Sequence, residues 1–229
     1  MTCKPAKGIH QMKKKVAIVQ TSMVSTEDLK RLFGEIVPEA ELINIIDDSL
    51  LNEVKRVGHI TPFLVHRMCC YYQLAEQSGV DLIFNQCSSV GEAADIAAQT
   101  VATPVLKVDE PMAQKAVELG TKIAVIATVG STMGPSCRLV ERQAEKVGKK
   151  IELQRLLIDG ALDVLMREGV EKHNQMVLDT VRKAAETADV IVLAQGSMIV
   201  LEPLLTDIKV PVLTSPRMGV ERARELLGL

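Results

Sequence analysis

Short apolar runs recur along the chain, set off by polar or small residues and separated by longer stretches with helical spacing. The runs at 16–19, 42–46, 82–84, 105–108, 123–127, 151–156 and 212–213, and the one inside DVIVLAQGSM (189–198), read as strands. Most are continuous rather than alternating, the pattern of strands buried on both faces of a parallel sheet. The intervening stretches predict helices over about 26–33, 62–77, 91–100, 112–119, 136–146, 170–187 and 220–227. Ser25 with Asp28 has the spacing of a capping box, and Thr61-Pro62 places a cap ahead of a proline at the first helical position. Strictly alternating strands and helices predict an α/β fold built on parallel sheets.

One of these strands carries candidate chemistry. DLIFNQCSSV (81–90) passes from an apolar run through Asn85-Gln86 to Cys87-Ser88-Ser89, and helix formers follow. Cys87 therefore stands at a strand-to-helix turn, on the edge of a parallel sheet where ligands bind. Backbone N–H groups and the positive end of a helix dipole point at such a turn. A thiol there is expected to titrate below the reference of about 8.5. The plainer reading of a lone cysteine is a small buried hydrophobe. Two hydroxyls directly after it are poor core filler and good anion ligands.

The same phrase occurs again. DVIVLAQGSM sets Asp189 on Asp81, Ile191 on Ile83, Ser197 on Ser89 and Gln195 on Cys87, each pair 108 positions apart. Lys15–Val19 echoes 122–126, and Pro104-Val105-Leu106 echoes Pro211-Val212-Leu213. Three phrases in one order indicate a duplicated α/β unit with a ligand held between two like turns. Chance matching among Val/Ile-rich strands is the alternative.

Composition narrows the function classes. The 229 residues suffice for one large α/β domain or two small ones, and 47% are hydrophobic. The net charge of −2, with no basic block beyond Lys13-Lys14-Lys15, speaks against nucleic acid as a partner. Aromatic residues make up only 2%, so stacking platforms for bases or sugars are scarce. The five cysteines, Cys3, Cys69, Cys70, Cys87 and Cys137, lack framework spacing, which points to a reduced, cytoplasmic protein. No segment is long and apolar enough for a membrane span, and residues 1–14 read as a loose leader in which Met12 is an alternative start. His10, His59, His66 and His173 show no metal spacing, and His173 reads as solvated. Without a glycine-rich phosphate loop, no nucleotide cofactor is indicated; no cofactor or metal is expected.

The motifs together resemble the cofactor-independent aspartate/glutamate/hydantoin racemase superfamily over residues 15–227. Cys87-Ser88-Ser89 is similar to its first catalytic Cys-Asn-Thr turn, and Thr128-Val129-Gly130-Ser131 to its Thr-x-Gly-Thr turn. Leu193-Ala194-Gln195-Gly196 stands where the family has Leu-Gly-Cys-Thr, and Ile158-Asp159-Gly160-Ala161-Leu162 fits a recurrent family phrase. The resemblance implies two pseudo-symmetric α/β/α domains of flavodoxin or Rossmann type, with the active site between them and a homodimer as the default assembly. The expected boundaries are 15–104 plus 211–229 for the first domain and 105–210 for the second. It also implies cofactor-independent proton transfer at the carbon next to the carboxylate of an amino acid or related small acid.

Two positions depart from the family pattern. Gln195 replaces the second catalytic cysteine, and Gln20 replaces the acidic residue that often follows the first strand. Glutamine carries no proton that titrates near neutrality. Cys87 is thus the catalytic candidate, and Gln20, Thr21, Ser22, Ser88, Ser89, Thr128, Ser131, Gln195, Gly196 and Ser197 are the substrate-binding candidates. Asp47, Asp109 and Glu110, at strand ends, are candidates for an acid or base on the second face. Asp47-Asp48 also reads as a solvated loop. Three functional readings stay open: a racemase-type isomerase, a single-cysteine decarboxylase or lyase, and a binding protein that has lost turnover.

Overall fold

The computed structural model describes residues 13–229; the leader reading of 1–14 lies almost wholly outside them. Two four-stranded parallel sheets form the frame. The first contains β1 (Lys14–Gln20), β2 (Ala40–Ile46), β3 (Leu82–Asn85) and β4 (Val105–Lys107), in the order β2-β1-β3-β4. The second contains β5 (Lys122–Ala127), β6 (Glu152–Leu157), β7 (Val190–Leu193) and β8 (Val212–Leu213), in the order β6-β5-β7-β8. All pairings are parallel. β3 and β7 are buried along their whole length, whereas the edge strands β2 and β6 are partly exposed, which explains their mixed polarity.

The duplication is visible in hydrogen bonds. Asp81 Oδ2 accepts from the Lys15 N–H at 2.8 Å, and Asp189 Oδ2 accepts from the Lys122 N–H at 2.8 Å. Each aspartate closes the entrance of its third strand onto the first strand of its own sheet. The Ile83 N–H donates to the Pro104 carbonyl and the Ile191 N–H to the Pro211 carbonyl, both at 2.9 Å. The repeated phrases are therefore repeated structural joints.

The helices are α1 (Thr26–Ile36), α2 (Asp48–Val57), α3 (Pro62–Gln77), α4 (Gly91–Ala97), α5 (Glu110–Leu119), α6 (Gly130–Lys146), α7 (Ala161–Glu168), α8 (Val170–Ala184) and α9 (Ser215–Leu226). Four apolar clusters cover both faces of both sheets. Val220, Ala223 and Leu227 join the first-sheet cluster, so the chain's last helix packs back on the first unit. There Gly219 has no room for a side chain: a Cβ would stand 2.8 Å from the Val108 carbonyl and 3.2 Å from Phe84 Cζ.

The domain boundaries expected from sequence need correction. β4 belongs to the first sheet and β8 to the second, because each third strand takes its neighbour from the Pro-Val-Leu phrase of its own unit. α9 crosses back, and Ile199, after β7, reaches the same first-sheet cluster. Two helices escaped the sequence reading, α2 and α7. Thr61 Oγ1 accepts from the Leu64 N–H at 3.1 Å, as its cap signal predicts. Ser25 makes no side-chain capping bond, and Asp28 instead lies 3.7 Å from Arg31.

Candidate active site

In both sheets the strand order reverses between the first and third strands, β1 and β3 in one, β5 and β7 in the other. Ligands of open α/β sheets bind outside the carboxyl ends of strands at such points. The turns after these four strands meet at one cavity of about 250 Å³. Thr21 and Ser22 follow β1; Gln86, Cys87, Ser88 and Ser89 follow β3; Thr128 and Val129 follow β5; Ala194, Gln195, Gly196 and Ser197 follow β7; all line it. A Cβ on Gly196 would come within 3.8 Å of Ser25 Oγ and 3.9 Å of Gln86 Nε2, so the β7 turn approaches the first unit closely. An open groove of about 590 Å³ adjoins the cavity and shares Lys55, Thr128 and Val129 with it.

Cys87 is half-buried on its turn, ahead of a single 3₁₀ turn, Ser88–Val90, and α4. Burial pushes its thiol up from the ordinary value. Hydrogen bonding from the Thr21 hydroxyl and from the Ser89 and Val90 N–H groups pulls the other way without overcoming it, and the Asp109 carboxylate adds to the rise. The lowered thiol expected from sequence is therefore corrected: the amide donors are present, but desolvation outweighs them. In peptide-mapped iodoacetamide labelling, Cys87 of the ligand-free protein should react slowly at pH 7 and accelerate through pH 9 and above. A rate that levels off below pH 8 would contradict this balance.

Gln195 is tied by one end. Its Oε1 accepts from the Thr128 N–H at 3.2 Å, while its Nε2 is buried with no partner among the described residues. A buried amide donor left unmatched costs about 1–3 kcal/mol, so the group calls for an acceptor. Ser89 Oγ lies 3.2 Å from Ser131 Oγ and 3.3 Å from Thr132 Oγ1, a hydroxyl cluster bridging the two units. Beside it, Arg138 donates to Glu92 at 2.6 Å, joining α6 to α4.

Five sequence candidates fall outside this cavity. Gln20 is fully buried beneath it, donating to Asn44 at 2.8 Å and accepting from Thr26 at 3.2 Å. Ser131 faces the adjoining groove. Asp47 caps α2, accepts from Ser49 and Tyr71, and pairs with Arg67. Burial opposes its ionisation, but those hydrogen bonds and the guanidinium prevail and hold its carboxyl below the usual range. Asp109 is buried under the Ser88 turn, where desolvation raises its carboxyl despite Ser88 and Lys107. Glu110 opens α5 and accepts from Gln143 at 3.1 Å. A carboxylate already engaged within the protein makes a poor second-face acid or base. Among the described residues, no group of three or more His, Cys, Asp or Glu could hold a metal ion, and no helix is long and apolar enough to cross a membrane.

Sequence reasoning missed Ser25, Leu51, Lys55, Leu165 and His173, which also line the cavity. Leu51 and Lys55 stand on α2, whose signals were all present: the Asp47 cap, apolar Leu50 and Val54, basic Lys55 and Arg56 in the last turn, and left-handed Gly58 after it. Leu165 and His173 come from the α7–α8 pair. Gly160 (φ 74°) and Gly169 (φ 99°), both at positive φ, bracket α7 and permit the reversals that bring both helices to the site.

A family model described as Asp/Glu/Hydantoin racemase matches residues 15–223. The chain belongs to that family. Its fold is similar to that of glutamate racemase from Francisella tularensis, solved with D-glutamate, at TM-score 0.68 and 14% identity, covering 94% of this chain and 81% of that one. Aspartate racemase from Picrophilus torridus gives TM-score 0.69 and 14% identity, covering 94% of both chains. An arylmalonate decarboxylase variant in a sulfate-associated form gives 0.60 and 13%, covering 93% of both. A search of curated proteins finds no significant match. Within the family, this member presents the Cys87 thiol from one unit and the Gln195 amide from the other to the cavity between them.

Proposed function

We propose that this chain is an isomerase of the racemase type, moving a proton at the carbon next to the carboxylate of a small amino acid or related acid, with Cys87 as the proton-transfer group. The observation that carries this reading is the shared cavity: Cys87 opens onto it from one unit, and Gln195, with its unpartnered Nε2, from the other. Amide donors fixed around the cavity stabilise the negative charge that develops on the carboxylate as the carbon loses its proton. The test is ¹H NMR of D- and L-aspartate, D- and L-glutamate and 5-substituted hydantoins in D₂O. Solvent deuterium should enter the α-position with the wild type. A wild type that exchanges none of them would favour a binding protein without turnover.

Lys55 supplies a cation at the mouth and forms no ion pair among the described residues. Its role in this reading is to hold a second anionic group of the substrate. Lys55→Met should raise KM about 10-fold or more for a dicarboxylate, in keeping with roughly 1.5–3 kcal/mol for a charge-assisted hydrogen bond, and change kcat much less. An unchanged KM would remove Lys55 from the binding set.

The single thiol favours one second reading, decarboxylation of a disubstituted malonate with Cys87 delivering a proton in place of the leaving carbon dioxide. Release of carbon dioxide from such malonates, without exchange into amino acids, would select it.

A further inference from the structure

We propose that His173 is the second proton-transfer group, acting on the face of the substrate carbon opposite Cys87. This rests on the reading of Cys87 above and supplies the partner that Gln195 cannot be.

His173 lies in the first turn of α8, in the second unit, and lines the same cavity as Cys87, which comes from the first. Asp47, Asp109 and Glu110, the carboxylates weighed for the second face, do not line it. The imidazole is half-buried, and its Nδ1 stands 3.2 Å from Asn174 Oδ1. A carbonyl oxygen only accepts, so Nδ1 carries a proton and Nε2 is the nitrogen left to exchange one.

The chemistry then runs in either direction. With Cys87 as thiolate and His173 as imidazolium, the thiolate removes the α-hydrogen. The S–H bond forms, and the C–H electron pair moves into the enolate. The imidazolium then gives its Nε2 proton to the other face of the carbon. The inverted product leaves with Cys87 as thiol and His173 neutral. That second state is the starting state for the opposite enantiomer, with imidazole as base and thiol as acid. One proton is removed and one returned in each direction, so no further reactant is needed.

The test uses the whole chain in D₂O, with each enantiomer of aspartate, glutamate and 5-substituted hydantoins supplied separately to wild type, His173→Gln and Cys87→Ala. Wild type should racemise a substrate and label both enantiomers. His173→Gln should lower racemisation about 100-fold or more yet still label one enantiomer with retained configuration. Cys87→Ala should retain labelling, if any, in the other enantiomer only. Among the described residues His173 makes one side-chain hydrogen bond, to its sequence neighbour, so the Gln variant should melt at the wild-type temperature. Racemisation by His173→Gln at the wild-type rate, with Cys87→Ala inactive in it, would overturn the assignment of His173 alone. Loss of labelling in both enantiomers from a folded His173→Gln would also overturn it, since a one-face role leaves the Cys87 face working. A wild type that labels none of these compounds would overturn the reading of Cys87 as well.

Discussion

Replacing Cys87 by alanine is expected to lower kcat/KM for racemisation by about 10³-fold, within the span usual for a lost general acid or base, while the protein stays folded. The side chain is small and half-buried, and it borders the second core cluster from the cavity side. Its removal therefore takes away chemistry and little packing. Cys87→Ser is the sharper variant, because the hydroxyl keeps the shape and the neighbouring Thr21 but is a far weaker acid than a thiol. Stopped assays by chiral chromatography would measure the loss, and a thermal melt would confirm the fold. Activity within tenfold of wild type in both variants would remove Cys87 from the mechanism.

Phe84→Ala is expected to cost about 3–5 kcal/mol of stability. Phe84 is fully buried in β3 and meets Phe33 of α1 edge to face, with centroids 5.5 Å apart and ring planes at 81°. Its ring edge also lies against Gly219 of α9. One side chain thus joins the strand that carries the Cys87 turn to the first and last helices of the chain. Truncation leaves a cavity that β3, held by β1 and β4 on both sides, cannot close. In a chain of this size each kcal/mol is worth roughly 2–4 °C in Tm, so a fall of about 10 °C is expected in calorimetry. A loss below 1 kcal/mol would mean that the seam between α9 and the first sheet is loosely packed.

The α/β class, the duplication, all eight strands and the turn that presents Cys87 were legible in the sequence. Such features are local: a continuous apolar run, a polar stop and a hydroxyl-rich turn are written in adjacent residues, and a repeat preserves them at a constant offset. The family could be recognised for the same reason, since its motifs are the turns themselves. The pairing of the Cys87 and Gln195 turns followed from the repeat; the long-range partners of the other candidates were not legible. Asp47, Asp109 and Glu110 have the residue type and strand-end position of an acid or base, yet each is consumed by a neighbour distant in sequence, Asp47 by Arg67, Asp109 by the Ser88 turn and Glu110 by Gln143. Lys55 sits on α2, a helix the sequence reading did not draw, and His173 read as solvated; only the facing of the two units turns them into walls of one cavity. The thiol of Cys87 was decided by tertiary structure too. The sequence determined the amide donors at its turn; the packing around that turn, against the second core cluster among others, determined how much water the sulfur loses, and desolvation prevailed.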